Sequence, residues 1–339
     1  MARPSSTFSD FVLSTTNQTL VPKVVDNILN GNFGLMRFLS NSEPWNGGDQ
    51  LMLPVKIQKG TANGSYAGLD TLSTAQTSDR ILASVDPKQY YGAVVVSGIQ
   101  RAVNSGDGKV LDLLATEMSS KADDLKDTLG DGFYGDGTGN ANKDLTGLRA
   151  AVDDSTFVTT YEGISRATYT QWRSTITSDA TVTLPDFATD FNAAKVGAED
   201  PNLLLSTPAV FNIFEALMDQ DVRYSLSFTG YDQIYAKGLP RKSSNLAQGQ
   251  GFNSLYFRGV PLVADEKCTA GRLYTLNENH IFFKTFRKHP KHSSQSNGFF
   301  WTGLKEPVNQ DGEVGHFLWY GNLASDGPRF SALRYSITG

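Results

Sequence analysis

The apolar positions of this chain keep changing rhythm. Over Leu51–Gln58 (Leu-Met-Leu-Pro-Val-Lys-Ile-Gln) they come at strand spacing, and Pro54, which has no N–H for a ladder, marks an edge or a bulge. Gly60 to Gly68 offers Gly, Asn and Ser instead, the residues that the tip of a ribbon needs for its turns. Ser84 to Val96 reads as the return strand and ends in the β-branched run Val94, Val95, Val96. The whole stretch Leu51–Gln100 has little to fill a core. A β-ribbon of this length is marginal alone, so it is expected to lie on a partner.

The rhythm then shifts to threes and fours. Leu111, Leu114, Met118, Ala122, Leu125 and Leu129 form one apolar stripe, which predicts a helix over Lys109–Leu129, roughly 30 Å long. Asp112, Glu117, Lys121, Asp123, Asp124 and Lys126 fall on the opposite face, as on a solvated surface. Gly130 stands where a C′ glycine ends a helix, and Gly132, Gly135, Gly137 and Gly139 follow. Upstream, Val21, Val24, Val25, Ile28 and Leu29 recur at helix spacing within Leu20–Leu39, until Gly31 and Gly34 break the pattern.

Short strands and turns fill Leu145–Thr183. A second compact unit runs from about Pro185 to Asp265. It opens with a helical pattern (Phe187, Phe191, Ala194, Val196), then a buried strand at Leu203–Ser206, a helix at Pro208–Met218 and a loop over 228–251. The tail reads as strands at Ser254–Phe257, Val260–Ala264, Leu273–Leu276, His280–Phe286, Gly315–Tyr320 and Ser331–Ile337. No internal repeat is visible.

Composition narrows the field. Of the 339 residues, 39% are hydrophobic, enough for a sizeable core, while 32 glycines and only 19% charged residues lean toward β-rich, turn-rich structure. The net charge of −5 and the lack of a basic run argue against a dedicated nucleic-acid binder. They are compatible with a wall along which packaged DNA slides. The single cysteine, Cys268, makes no internal disulfide and reads as a small buried hydrophobe. No signal peptide and no membrane-spanning run is expected, and the chain reads as soluble and made in a reducing cytoplasm.

Familiar chemistry is sought and not found. Gly135-Asp-Gly-Thr-Gly-Asn140 follows a predicted helix rather than a strand, and no Lys-Ser/Thr closes it, so it is a hinge and not a phosphate cradle. Asp131, Asp136 and Asn140 miss the spacing of a calcium loop. His289-Pro-Lys-His292 imitates a metal pair, but Pro290 removes the helix that would align the rings, and no Cys or carboxylate stands close; surface or interfacial histidines are expected. There is no Gly-x-Ser-x-Gly elbow. No catalytic residue, cofactor or metal is expected.

Several local signatures, in order, carry a family resemblance: Gly132-Phe-Tyr-Gly-Asp136 ahead of Leu145-Thr-Gly-Leu148; Tyr161-Glu-Gly-Ile-Ser-Arg166 leading to Tyr169 and Trp172; Leu203-Leu-Leu-Ser-Thr-Pro208; and Leu255-Tyr-Phe-Arg-Gly-Val-Pro-Leu-Val263 with Asp265, then Leu273-Tyr-Thr-Leu-Asn277. Over nearly its whole length the chain resembles the major capsid proteins of tailed bacteriophages with the Hong Kong ninety-seven-type fold. The resemblance implies an α+β subunit with an N-terminal arm at 1–45 and an extended β-ribbon loop at 46–96. A peripheral domain would cover 97–185 and 265–339, with a spine helix at 104–134, and an axial domain 186–264. It further implies self-assembly into hexamers and pentamers of an icosahedral shell around double-stranded DNA. The expected site is the virion capsid, after synthesis and assembly in the host cytoplasm.

The amino end holds no long scaffolding segment, so a separate scaffolding protein, a portal and decoration proteins are the expected partners. Inter-subunit contacts are expected at Lys56, Lys59, Tyr66 and Arg80 on the loop, and at Lys237, Arg241 and Lys242 near the capsomer centre. Some relatives cross-link Lys to Asn, but the sequence names no partner for Lys56 or Lys59. The rival readings are the shell of an encapsulating nanocompartment and, further off, a β-rich hydrolase or carbohydrate-binding module with Trp45, Trp172, Trp301 and Trp319 as stacking platforms.

Overall fold

The computed structural model describes residues 32–60, 62–75, 78–103, 113–220, 254–294, 297–307 and 311–338. Most of the predicted stretch Leu20–Leu39 and all of the loop 228–251, with Lys237, Arg241 and Lys242, lie outside the described residues. Helix α1 (Phe33–Ser40) and strand β1 (Glu43–Trp45) come first, then β2 (Leu51–Lys56), β3 (Arg80–Val85) and β4 (Lys88–Ser97). The short helix α2 (Gly98–Val103) and the long helix α3 (Leu113–Phe133) follow. Next are α4 (Leu148–Ala151), the hairpin of β5 (Thr160–Tyr161) and β6 (Ile164–Ser165), and β7 (Thr175–Ser178).

Helix α5 (Leu184–Ala194), β8 (Leu203–Ser206) and helix α6 (Pro208–Gln220) lead to the tail. Its strands are β9 (Ser254–Phe257), β10 (Val260–Ala264), β11 (Leu273–Leu276), β12 (Ile281–Phe286), β13 (Ser293–Ser294), β14 (Phe299–Trp301), β15 (Gly312–Ser325) and β16 (Ala332–Tyr335).

Two six-stranded sheets organise the α+β fold. The first has the order β1-β12-β15-β14-β13, with β4 also paired to β15; the second runs β7-β16-β11-β8-β10-β9. The main core gathers residues from both sheets (Leu203, Leu205, Phe283, Trp319) together with α1 and the carboxyl half of α3. A second core forms where α5 and α6 pack Phe187, Phe191, Val210 and Phe214 against Leu204, Leu262 and Leu273. Neighbouring leucines of β8 thus face different cores. Burial on both faces is why this strand is an unbroken apolar run rather than an alternating one. Arg334 of β16 is buried in this unit and bonds both carboxylate oxygens of Asp190 on α5, at 2.7 and 2.9 Å. The second sheet takes β7, β11 and β16 from outside the span Pro185–Asp265.

The glycines behave differently from their sequence reading. Gly130 does not end α3, which runs on to Phe133. A Cβ at Gly130 would lie 2.6–2.7 Å from the side chain of Asn32, so its lack of a side chain admits a neighbour rather than a turn. Gly34 likewise sits inside α1 instead of breaking it. A Cβ there would meet Tyr134 Oη at 2.7 Å and Asp265 Oδ2 at 3.1 Å. Its N–H donates to Asp265 Oδ2 (2.8 Å), which also accepts from Tyr134 Oη (2.7 Å). Gly92 of β4 faces α3, with Lys121 O 3.3 Å from the Cβ position. The amino-terminal piece that is described is no free arm. Phe33 and Leu35 are buried, and β1 pairs in parallel with β12.

Two other boundaries move. The predicted return strand Ser84–Val96 is two strands, split at Asp86-Pro87 because Pro87 supplies no ladder N–H. The pattern through Val196 stops at Ala194, where α5 ends.

Candidate functional site

The ribbon is built from β2 and β3, which pair antiparallel from Leu51↔Val85 to Lys56↔Arg80. Alternation gives it two unlike faces. Leu53, Val55, Ile81, Ala83 and Val85 pack inward on the body, so the base of the ribbon does contribute to a core. Met52, Pro54, Lys56, Arg80 and Leu82 point outward, and Met52 and Leu82 are more than half exposed. Beyond the ladder the pairing continues for one step: Ile57 N donates to Asp79 O (3.0 Å), and Gln58 Nε2 to Ser78 O (2.8 Å).

Past that point the described hydrogen bonds are short-range only. Asn63 Nδ2 donates to Gly60 O, and the Ala67 and Asp70 backbones close a turn. Along this segment Tyr66, Leu69 and Leu72 stand in solvent, Leu69 completely. Three large apolar side chains exposed along one strip mark a candidate interaction surface.

The sequence-predicted contact residues fall out as follows. Lys56 and Arg80 are brought directly opposite each other, an unfavourable like-charge pair relieved by Asp79, whose carboxylate lies 3.3 Å from Lys56 Nζ and 4.0 Å from Arg80 Nε. These groups are exposed, and such ion pairs are worth at most about 1 kcal/mol. Lys59 lies beyond the ladder and Tyr66 further out, so the structure does not cluster the four into one point.

Sequence reading missed the outward apolar positions Met52, Leu69, Leu72 and Leu82. It also missed Tyr91 and Val95 on β4 and Ile99 on α2, all strongly exposed. Strand alternation carried the signal for β4: Val94 and Val96 are buried, so the intervening Val95 must face out.

The root of the ribbon is tied to the body at one turn. Ser84 N of β3 donates to the carbonyl of Glu162, between β5 and β6, at 2.8 Å. The side chain of the same residue turns the other way, and its Oε1 accepts from Ser325 N at the end of β15 (2.8 Å). Burial raises the Glu162 carboxyl to about 8, although the bond from Ser325 and the nearby Arg166 pull it down.

Groups that reactive chemistry would need are engaged elsewhere. The Cys268 thiol is buried, and burial pushes its pKa far up, so it is no nucleophile. His289 and His292 do stack, with ring centroids 4.2 Å apart, so Pro290 fails to separate them; no carboxylate joins them, and among the described residues no three groups are placed to hold a metal. The glycine run folds into a turn in which Thr138 N and Oγ1 donate to Asp136 Oδ1, which holds that carboxyl below its usual range. A groove of about 780 Å³ on the first sheet is open and lined by Tyr90, Tyr91, Asn140, His316 and Tyr320. No described helix is long and apolar enough to cross a membrane.

No family model matches the sequence, and no curated protein matches it. Solved structures do match. The capsid subunit of cyanophage A-1(L) superposes with a TM-score of 0.71 at 16% identity, covering 97% of this chain and 99% of that one. The capsid of a native GTA particle gives 0.63 at 9% identity, over 99% and 100%. A subunit of the SrpI encapsulin complex from Synechococcus elongatus gives 0.56 at 12% identity, over 99% and 96%. The fold defined by the ribbon, the long helix and the two sheets is therefore that of shell-forming capsid subunits, the Hong Kong ninety-seven-type fold.

Proposed function

We propose that the chain is a major coat protein that assembles with copies of itself into hexamers and pentamers of an icosahedral shell enclosing double-stranded phage DNA. One observation carries the reading: the strip beyond the Ile57–Asp79 step exposes Tyr66, Leu69 and Leu72 with no core of its own, in a fold shared end to end with capsid subunits. A ribbon of this kind gains burial only on a neighbour, and contacts that run from subunit to subunit build shells rather than closed dimers. Its binding energy comes from apolar area, with Lys56, Lys59, Tyr66 and Arg80 at the rim of the contact. Lys237, Arg241 and Lys242 are proposed to face neighbours at the capsomer centre.

The parts are proposed to be an arm at 1–45, an extended loop at 46–96, a peripheral domain at 97–185 and 265–339 with its spine helix at 104–134, and an axial domain at 186–264. The separate core of α5 and α6 supports the axial unit. A scaffolding protein, a portal and decoration proteins are the expected partners. DNA is met without sequence preference, in keeping with the net charge of −5. The role is structural rather than enzymatic, in the virion capsid, after assembly in the host cytoplasm.

The second reading, a nanocompartment shell, is favoured only by the encapsulin likeness, whose TM-score of 0.56 is below the 0.71 of the cyanophage capsid. The decisive test is excision of 59–77, which spares Arg80–Leu82 because they belong to the β2–β3 ladder. Co-expressed with a scaffolding protein, the full chain should give closed particles by electron microscopy, and the excised chain folded subunits without shells. Normal shells from the excised chain would refute the role of the ribbon. Nuclease-protected DNA in native particles separates a virion from a nanocompartment.

A further inference from the structure

Gly92 of β4 faces α3, so its neighbours Tyr91 and Ala93 face the other way. That outward side of the first sheet is open. Tyr91 is 72% exposed and Val95 61%, and Ile99, at the start of α2, follows at 70%. On β15 the residues opposite are Leu318 for Tyr91, His316 for Ala93 and Val314 for Val95. From Tyr91 to Val95 the apolar row is about 13 Å long on the strand alone.

The groove of about 780 Å³ lies at the Tyr91 end of this row. One rim is the turn Asn140-Ala141-Asn142, whose backbone is left-handed at all three residues (φ 48, 56 and 64). Non-glycine residues keep that conformation only where their surroundings hold them, and such turns gather at ligand clamps. The Lys88 amine donates to the Asn142 carbonyl, and Lys143 follows the turn into the groove lining.

The charge of this face has one sign. Lys88, Lys143 and His316 line the groove, and no carboxylate does. Tyr320, also in the lining, is stacked by His289, which in turn stacks on His292. Loss of water, then His289, Lys305 and Lys291 beside it, push the His292 imidazole below its ordinary value. Lys88, Lys143, Lys291 and Lys305 form no ion pair among the described residues, unlike Lys56, Lys126 or Lys284. In a chain of net charge −5 this concentration of cations is local.

Three occupants compete for such a face. Duplex DNA would meet the lysines with its phosphates but leave the apolar row uncovered. The ribbon strip of a second copy would cover the row, yet between Gly60 and Ser78 it carries one carboxylate, Asp70. A polypeptide that is both acidic and apolar satisfies the two halves together.

We propose that the outward face of β4 and β15 docks an acidic amphipathic segment of a different protein, its apolar side chains on Tyr91 and Val95 and its carboxylates at Lys88 and Lys143. The surface belongs to the single subunit and does not rest on the proposed shell. It can be tested on unassembled chain, and its failure leaves the shell reading standing.

The probe is a fluorescein-labelled 12-residue peptide with four Glu and four Leu among Ser and Gly, titrated with the full-length subunit by fluorescence anisotropy. Its affinity should fall at least tenfold when the Glu are replaced by Gln, and at least tenfold when the Leu are replaced by Ser. Lys143→Glu and Tyr91→Ser should each weaken binding threefold or more, with unchanged circular dichroism. Should a variant lose its fold, the three peptides on the wild type decide alone. Equal binding of the Glu and Gln peptides, or none by either, overturns the proposal. Tighter binding of a 20-base-pair duplex than of the Glu peptide overturns it in favour of nucleic acid. Shells of the chain alone in which Tyr91 is protected from hydroxyl-radical labelling overturn it in favour of a second copy.

Discussion

Leu204, at the centre of the second sheet, has no exposed surface, while Leu69, in the open segment of the ribbon, has all of it exposed. The same side chain serves two kinds of structure. Around Leu204 the chain provides its own covering: α5 and α6 on one side, and on the other the core that Leu203 and Leu205 share with the first sheet. Around Leu69 it provides none, although the ribbon base thirteen to eighteen positions away, at Leu51–Lys56, is well anchored through its inner face. On the proposed function, the difference separates residues that make the subunit from residues that make contacts between subunits. Stability of the isolated chain should follow the first set and ignore the second.

That contrast can be broken by substitution. Phe214→Ala, which empties a fully buried position beside Phe187, should cost about 3–5 kcal/mol in urea unfolding. A much smaller loss would mean that the second core is loosely packed. Gly34→Ala forces a methyl against Tyr134 and Asp265 where α1 meets the end of α3, and should cost about 1–3 kcal/mol by the same measurement. The smallest effect is the most telling. Leu69→Ser should leave unfolding within about 0.5 kcal/mol of the wild type while lowering the yield of closed particles. Destabilisation of the isolated subunit by Leu69→Ser would place that leucine in a core and erase the comparison.

What could be read in the sequence was set by how local the cause was. Strands β9, β10 and β11 and the two helices of the second core show their periodicity within a few residues, and the structure follows the pattern closely there, whereas β15 runs well beyond Gly315–Tyr320 and β13 and β14 carry no such pattern. The end of α3 was read too early because Gly130 looks like a local stop, whereas its partner, Asn32, is far off in the chain. The split of the return strand was legible in Pro87, which the β-branched run after it outweighed. The outward apolar residues were hidden for another reason. Met52 and Leu82 look like core residues in any count of hydrophobic content, and only the register of β2 against β3 puts them on the open face. The tie between Ser84 and Glu162 joins segments with no pattern in common, so nothing short of the folded backbone reveals it.

The ladder between β4 and β15 has a mechanical meaning. Its register runs without a break from Gly312↔Ser97 to Gly321↔Lys88, and the ribbon enters it at Lys88. A tug on the ribbon is therefore directed along β4, and the bonds lie across that direction. They resist as rungs sharing a sideways strain, not as teeth of a zip parting in turn. From Gly321 onward β15 hands the strain to β12, so a force collected at the tip of the ribbon is spread over the breadth of the sheet.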